Sequence, residues 1–157
     1  MSTNTSTGCA IITGSSRGIG RAIALALAEH WPVVVNYRRG TAEAGQVVQA
    51  IKDNGGKALA LQADVSDEAQ VATLFADAAQ AYGHVAVLVN NAGVTKDGLL
   101  LRMPATDFDQ VIDTNLKGAF LCTKQAALGM FRQRWGRIVN VASIAGDRKS
   151  TRLNSSH

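Results

Sequence analysis

The sequence predicts an α/β domain built on a doubly wound parallel sheet. Short β-branched or apolar runs alternate with longer stretches of helical period, the pattern of parallel strands joined by crossover helices. The runs lack polar alternation, as strands buried on both faces do. A glycine-rich segment, Gly14 to Gly20, stands directly between the first run and the first helical stretch. Strands are predicted over residues 9–13, 33–36, 58–61, 85–89 and 137–141, each too short to be a helix. Between them, Ile19, Ala22, Ile23, Ala26 and Leu27 form a stripe at helical spacing, as do Val47, Val48 and Ile51, and then Val71, Leu74, Phe75 and Ala78. Each stripe is expected to pack on the sheet. Ser66, followed by Asp67 and Glu68, is the expected cap of the third helix, and Thr106 with Asp109 resembles a capping box. The next stripe runs Phe108, Val111, Ile112 and Leu116, with Asn115 on the same face. A side-chain amide in that position needs a hydrogen-bonding partner.

The 157 residues are 46% apolar, 18% charged and 5% aromatic, the balance of one globular domain rather than a disordered or fibrous segment. No apolar run approaches the roughly 18 residues that cross a bilayer, so no membrane span is expected. Met1 to Thr7 is rich in Ser and Thr and lacks the basic start and long apolar stretch of a secretory signal, which implies a cytoplasmic protein. Cys9 and Cys122 are isolated, without a CxxC or a His pairing, and read as reduced, partly buried thiols rather than a disulfide or metal site. The net charge is +4, but Arg148, Lys149 and Arg152 against Asp147 place half of that excess in residues 147–157. The remainder is close to balance, without a basic stripe or interleaved aromatics, so nucleic acid is not an expected partner.

The candidate ligand site starts at Thr13-Gly14-Ser15-Ser16-Arg17-Gly18-Ile19-Gly20. A strand, a glycine-rich turn and a helix N-terminus together make an anion site, because free amides and the positive end of the helix dipole meet there. The pattern is G-x-x-x-G-x-G rather than G-x-G-x-x-G, and its bland alternative is a tight turn. After the second strand, Asn36-Tyr37-Arg38-Arg39 stands where an acidic residue would meet a free ribose 2′-hydroxyl. Arg38 with Arg17 instead suits a 2′-phosphate and favours NADP(H) over NAD, the alternative being two solvated arginines. Asp64-Val65 follows the third strand at the same sheet edge and offers an acceptor for an adenine amino group, or a turn residue leading into Ser66.

Asn90-Asn91-Ala92-Gly93 follows the fourth strand and Ala142-Ser143-Ile144-Ala145-Gly146 the fifth. With Gly14, Gly18, Gly20, Asp64, Val65 and Asn115, in this order and spacing, the chain resembles the classical short-chain dehydrogenase/reductase family over residues 8–146. Within it, residues 90–146 most resemble bacterial 3-oxoacyl-[acyl-carrier-protein] reductases. The resemblance implies a Rossmann-like sheet and an NADP(H) site formed by Gly14, Ser16, Arg17, Gly18, Ile19, Gly20, Arg38, Asp64, Val65, Asn91, Ala92 and Gly93. It implies that Ser143 holds the reacting oxygen and that Asn115 anchors a water in a proton relay, where the residues alone also allow a turn serine and a core asparagine bonded to backbone. Asn90 would fix the central sheet. Arg134, in a cluster with Arg132 and Arg137, would dock an acyl carrier protein, although basic residues at a helix end also suit the dipole. The activity implied is NADPH-dependent reduction of a 3-oxoacyl thioester, on acyl carrier protein or CoA, to the (3R)-3-hydroxyacyl thioester in fatty acid biosynthesis. Alternatives are a family member acting on another ketone or alcohol, such as acetoacetyl-CoA or a sugar alcohol, and a non-catalytic NADP-binding module. The parent is implied to be a homotetramer with the helix around Asn115 in one interface.

The chain departs from the family pattern at Asp147. The family's general acid is the Tyr of Tyr-x-x-x-Lys, thirteen residues after this Ser in the reductases it most resembles, and that position holds Ser156. Residues 147–157 resemble a sequencing-library adapter translated in frame, the alternative being a divergent natural terminus. Residues 1–146 are therefore expected to be the N-terminal part of one NADP-binding domain, truncated after its fifth strand, and 147–157 a non-native tail. The fifth strand would be left as an exposed apolar edge, prone to aggregation, and the chain itself weakly active or inactive.

Overall fold

The computed structural model describes residues 8–146. Its five strands, β1 (Cys9–Ile12), β2 (Val33–Tyr37), β3 (Ala58–Gln62), β4 (Val85–Asn90) and β5 (Arg137–Asn140), form one sheet in the order β3-β2-β1-β4-β5. Every pairing is parallel, with Ile11 beside Val34 on one side and Leu88 on the other, and Leu88 beside Ile138. The helices α1 (Gly18–Leu27), α2 (Thr41–Asp53), α3 (Glu68–Tyr82), α4 (Ala105–Ile112) and α5 (Gly118–Gln133) provide the crossovers. The predicted Rossmann-like doubly wound sheet is the fold observed.

Alternation along the strands separates two cores. Cys9, Ile11 and Leu88 point to the face covered by Val71, Leu74, Phe75 and Ala78 of α3 and by Leu121, Cys122, Ala126 and Met130 of α5. Ala10, Ile12, Val33 and Val35 point to the other face, under Ala24 of α1 and Ala44, Val47 and Ile51 of α2. The stripes of α2 and α3 therefore pack as their period predicts. Cys9 and Cys122 are free and fully buried, deeper than expected, and burial pushes both thiols up to about 12. They stay protonated at neutral pH and act as small apolar side chains.

Four local expectations need correction. Helix α1 turns Gly20 and Ala24 toward the sheet, with Ile23 and Leu27 of the expected stripe packed against the core, and leaves Ile19, Ala22 and Ala26 exposed. Asp67 caps α3, its carboxylate accepting from the Gln70 amide at 3.0 Å, while the Ser66 hydroxyl donates to Asp64 at 2.6 Å. Pro104 precedes α4 and no side chain caps that helix, since Thr106 already lies inside its first turn. All four residues of β5 are exposed, as expected of a strand left at the sheet edge and against its reading as a run buried on both faces, because β5 pairs only with β4 among the described residues.

Candidate functional site

Parallel strands bring their carboxyl ends to one edge, and the loops that leave them enclose a cleft of about 730 Å³. The ordering of this edge begins with Thr13. Its hydroxyl oxygen accepts from the amides of Asn91 at 3.0 Å and Ala92 at 2.9 Å, which joins the loop after β1 to the loop after β4. Asn91 returns the tie by donating its side-chain amide to the carbonyls of Thr13 and Gly14, each at 3.0 Å. Ser15 is buried and donates to the Ile12 carbonyl at 2.7 Å.

The glycines of this turn have separate reasons. Gly14 has φ +61°, and a Cβ there would come within 2.9 Å of the Ala92 backbone. A Cβ on Gly20 would run into the Asn91 side chain and come within 2.5 Å of the Gly14 carbonyl. Gly20 does not line the cleft. It lets α1 close against the loops that do, so the helix N-terminus sits at the cleft wall through Arg17, Gly18 and Ile19. No side chain caps α1, which leaves its first-turn amides available for an anion.

Asn36 is the organiser that sequence reasoning passed over. It is 1% exposed within an otherwise apolar strand; its oxygen accepts from the Gly14 amide, and its nitrogen donates to the carbonyls of Leu61 and Ala63. A polar residue inside the run Val33-Val34-Val35 was the available signal, because a buried amide is retained only where its hydrogen bonds are satisfied. Tyr37, Arg38 and Arg39 follow it along the wall. Arg38 faces Asp64 at 3.8 Å, and the other Asp64 oxygen accepts from the Ser66 amide and hydroxyl. Asp64 is thus a turn-forming residue and a cleft residue together.

Eleven of the twelve residues expected to hold a cofactor line this cleft: Gly14, Ser16, Arg17, Gly18, Ile19, Arg38, Asp64, Val65, Asn91, Ala92 and Gly93. Asn115 is exposed and does not line it, but grips the wall: it accepts from the Val94 amide at 2.8 Å and donates to the Val94 carbonyl at 2.9 Å. Its amide thus has a backbone partner, although it is exposed rather than in the core. It sits in a π-helical turn, Asp113–Lys117, between α4 and α5, and a widened turn shifts side chains out of helical register. Phe108, Ile112 and Leu116 of the same stripe are exposed. Ser143 lies past the end of β5, with its oxygen accepting from the Ala145 amide at 3.1 Å, outside the cleft lining. Asn90 ties β4 to its neighbours by donating to Thr123 and Asn140. Arg134 follows the end of α5 and precedes β5, which places it at the edge where strands begin, opposite the cleft. Its neighbour Arg137 is already committed to the face of Trp135, 4.9 Å away, and Trp135 stacks on Trp31 at 5.6 Å. Ser156 and the segment 147–157 lie outside the described residues.

A dinucleotide fits this edge: the glycine turn leaves room at the helix N-terminus for a pyrophosphate, and cations and an acceptor stand beside it. The family model for short chain dehydrogenase matches residues 8–155. The chain belongs to the short-chain dehydrogenase family. It is 48% identical over 138 residues to the 3-oxoacyl-[acyl-carrier-protein] reductase FabG of Staphylococcus aureus (strain Mu50), covering 87% of this chain and 56% of that protein. It is 49% identical over 138 residues to the 3-oxoacyl-[acyl-carrier-protein] reductase of Synechocystis sp., again covering 87% of this chain and 56% of that protein. A crystal structure of a short chain dehydrogenase from Mycobacterium avium superposes with a TM-score of 0.82 at 37% identity, over 89% of this chain and 55% of that one. The short-chain dehydrogenase segment described here therefore spans about half the length of the relatives it matches. Among the described residues, no helix is long and apolar enough to cross a membrane.

Proposed function

We propose that residues 8–146 are the cofactor-binding part of a cytoplasmic, NADPH-dependent reductase that converts a 3-oxoacyl-[acyl-carrier-protein] to its (3R)-3-hydroxyacyl form. The observation that carries the cofactor assignment is the cleft itself, where Arg17, Arg38 and Arg39 line the same wall space as the glycine turn. Guanidinium groups there match a 2′-phosphate, which a free ribose hydroxyl does not reproduce. The substrate assignment rests on the similarity to 3-oxoacyl-[acyl-carrier-protein] reductases over 87% of the chain.

When bound, the nicotinamide cofactor supplies hydride to the substrate carbonyl. The chain's own residues bind and orient. The first-turn amides of α1 and the Gly14 turn would hold the pyrophosphate, Asp64 and Val65 would border the adenine, and Asn91, Ala92 and Gly93 would form the wall toward the reacting end. Ser143 donates a hydrogen bond to the oxygen that gains negative charge as hydride arrives. Asn115 fixes the Val94 backbone and leaves the π-helical turn as the place for a relayed water. The chain's two tyrosines stand elsewhere, Tyr37 at the cleft wall beside Arg38 and Tyr82 at the end of α3. Neither stands thirteen residues after Ser143, where position 156 is a serine, so this chain is expected to bind NADPH without appreciable turnover. Arg134 is proposed to meet the acidic carrier protein, and the exposed Phe108, Leu116 and Phe120 support a homotetramer interface along α4 and α5.

Titration of the chain with NADPH and with NADH, followed by cofactor fluorescence, tests the cofactor assignment. Tighter binding of NADPH is expected, and equal or absent binding of both would overturn it. Adding acetoacetyl-CoA and following absorbance should show no NADPH consumption by this chain. The intact protein that carries this segment should consume NADPH with acetoacetyl thioesters. Reduction of unrelated ketones in preference to the thioester would remove the acyl-carrier-protein assignment.

A further inference from the structure

The cleft contains one contact that opposes its own ligand. Arg38, the guanidinium best placed for a 2′-phosphate, stands 3.8 Å from an oxygen of Asp64 across the adenosine end of the cleft. The Arg38 backbone and the Asp64 carboxylate are held by other bonds, while the Arg38 side chain is not. The Arg38 carbonyl accepts from the Gln62 side chain at 3.0 Å. The second Asp64 oxygen accepts from the Ser66 amide at 2.9 Å and hydroxyl at 2.6 Å, so the carboxylate cannot turn away without breaking the turn that leads into α3. Asp64 thus has one oxygen committed to the fold and one directed at Arg38. At 3.8 Å, with side chains 40% and 28% exposed, the pair is loose and carries no bidentate geometry.

Resting on the dinucleotide assignment above, we infer that Asp64 is a specificity-determining residue that acts through Arg38: it competes with a ligand's 2′-phosphate for the guanidinium and so moderates the preference for phosphorylated over unphosphorylated adenosine ribose. A 2′-phosphate is the stronger partner, with up to two negative charges and three acceptor oxygens, and displaces the carboxylate. A 2′-hydroxyl carries no charge and leaves the pair intact. Binding of a 2′-phosphorylated ligand must therefore first surrender the Arg38–Asp64 attraction, whereas binding of its unphosphorylated counterpart need not.

A double-mutant cycle on the full chain tests this, with calorimetric binding of adenosine 2′,5′-bisphosphate and of 5′-AMP to the unmodified protein, Asp64→Asn, Arg38→Gln and the double variant. Asparagine keeps an oxygen for Ser66 and removes only the charge. Asp64→Asn is expected to raise the preference for the bisphosphate about threefold at low salt, the size of a part-exposed ion pair, with less gain at high ionic strength. In the Arg38→Gln background the same change should leave the preference unmoved. An equal gain in both backgrounds would mean that the carboxylate repels the phosphate directly, and no gain in either would mean that the pair does not compete; each result overturns the inference. If the unmodified chain shows no preference for the bisphosphate and Arg38→Gln changes nothing, the 2′-phosphate assignment fails and this inference with it. Should Asp64→Asn not fold, the carboxyl carbon signal of Asp64 in the unmodified chain serves. It should move further with the bisphosphate than with 5′-AMP, and identical movement would overturn the inference.

Discussion

Strands β1 and β5 are both four residues long and both carry a β-branched centre, yet every residue of β1 is buried and every residue of β5 is exposed. The difference is one of position in the sheet. β1 has a strand on each side and helices over both faces, whereas β5 has one neighbouring strand among the described residues and leaves Ile138 and Val139 open. The same contrast holds between helices. The apolar face of α3 is fully used, while Phe108, Leu116 and Phe120 along α4 and α5 face solvent. Apolar character marks which surfaces can be buried, and only the supply of opposing layers decides which ones are. The cofactor cleft is built almost wholly on the well-covered half.

The largest test of this contrast is truncation. Ile11→Ala removes a fully buried side chain shared by two strands and should cost about 3–4 kcal/mol in urea unfolding. Val139→Ala, 49% exposed on β5, should cost well under about 1 kcal/mol. Equal losses would show that β5 is covered in solution. Glycines provide a second pair. Gly20→Ala must displace Asn91 or the Gly14 turn and should cost about 1–3 kcal/mol together with nucleotide binding. Gly129→Ala in α5 meets nothing within 4 Å and should stabilise the chain by about 0.5–1 kcal/mol through helix propensity. At the junction of the two regions, Asn115→Ala breaks both bonds to Val94 and should cost about 1–2 kcal/mol, while weakening NADPH binding less than Gly20→Ala does.

The smallest effect is expected at the cap of α3. The Gln70 amide holds the exposed Asp67 carboxyl below its ordinary value. Its charge therefore contributes stability that is present at neutral pH and lost as pH falls through the lowered value. Asp67→Asn keeps a capping oxygen, so thermal melts of the two proteins should differ slightly at neutral pH and converge in strong acid. A difference that persists in acid would assign the effect to cap geometry rather than charge.

The strands were legible because fully buried parallel strands leave short, continuous apolar runs, and the observed bounds differ from the predicted ones by a residue at most. The anion site was legible because glycine spacing and strand order place it without any knowledge of packing. Caps were read less well: Ser66, Asp67 and Pro104 stand next to one another or to other plausible caps, and the choice depends on where each helix axis meets the sheet. The face of α1 was read in part: Ile23 and Leu27 pack against the core, whereas Ile19 suggested burial by type and Gly20 and Ala24 are the residues closest to the sheet. Ser143 and Arg134 are singled out by the family resemblance. Arg134 precedes β5 at the edge opposite the cleft, whereas Ser143 follows β5 at the cleft edge but outside its lining.

By itself the sequence determined the alternation of strands and helices, the parallel sheet, and the glycine turn at a helix N-terminus, since these follow from local period and backbone freedom. Only the tertiary structure decided that Thr13 and Asn36 knit the loops into one cleft wall, that Asp64 stands against Arg38, and that Phe108 and Phe120 are left uncovered. Those outcomes join residues 22 to 79 positions apart, or depend on what lies opposite a helix face, and no local pattern encodes them.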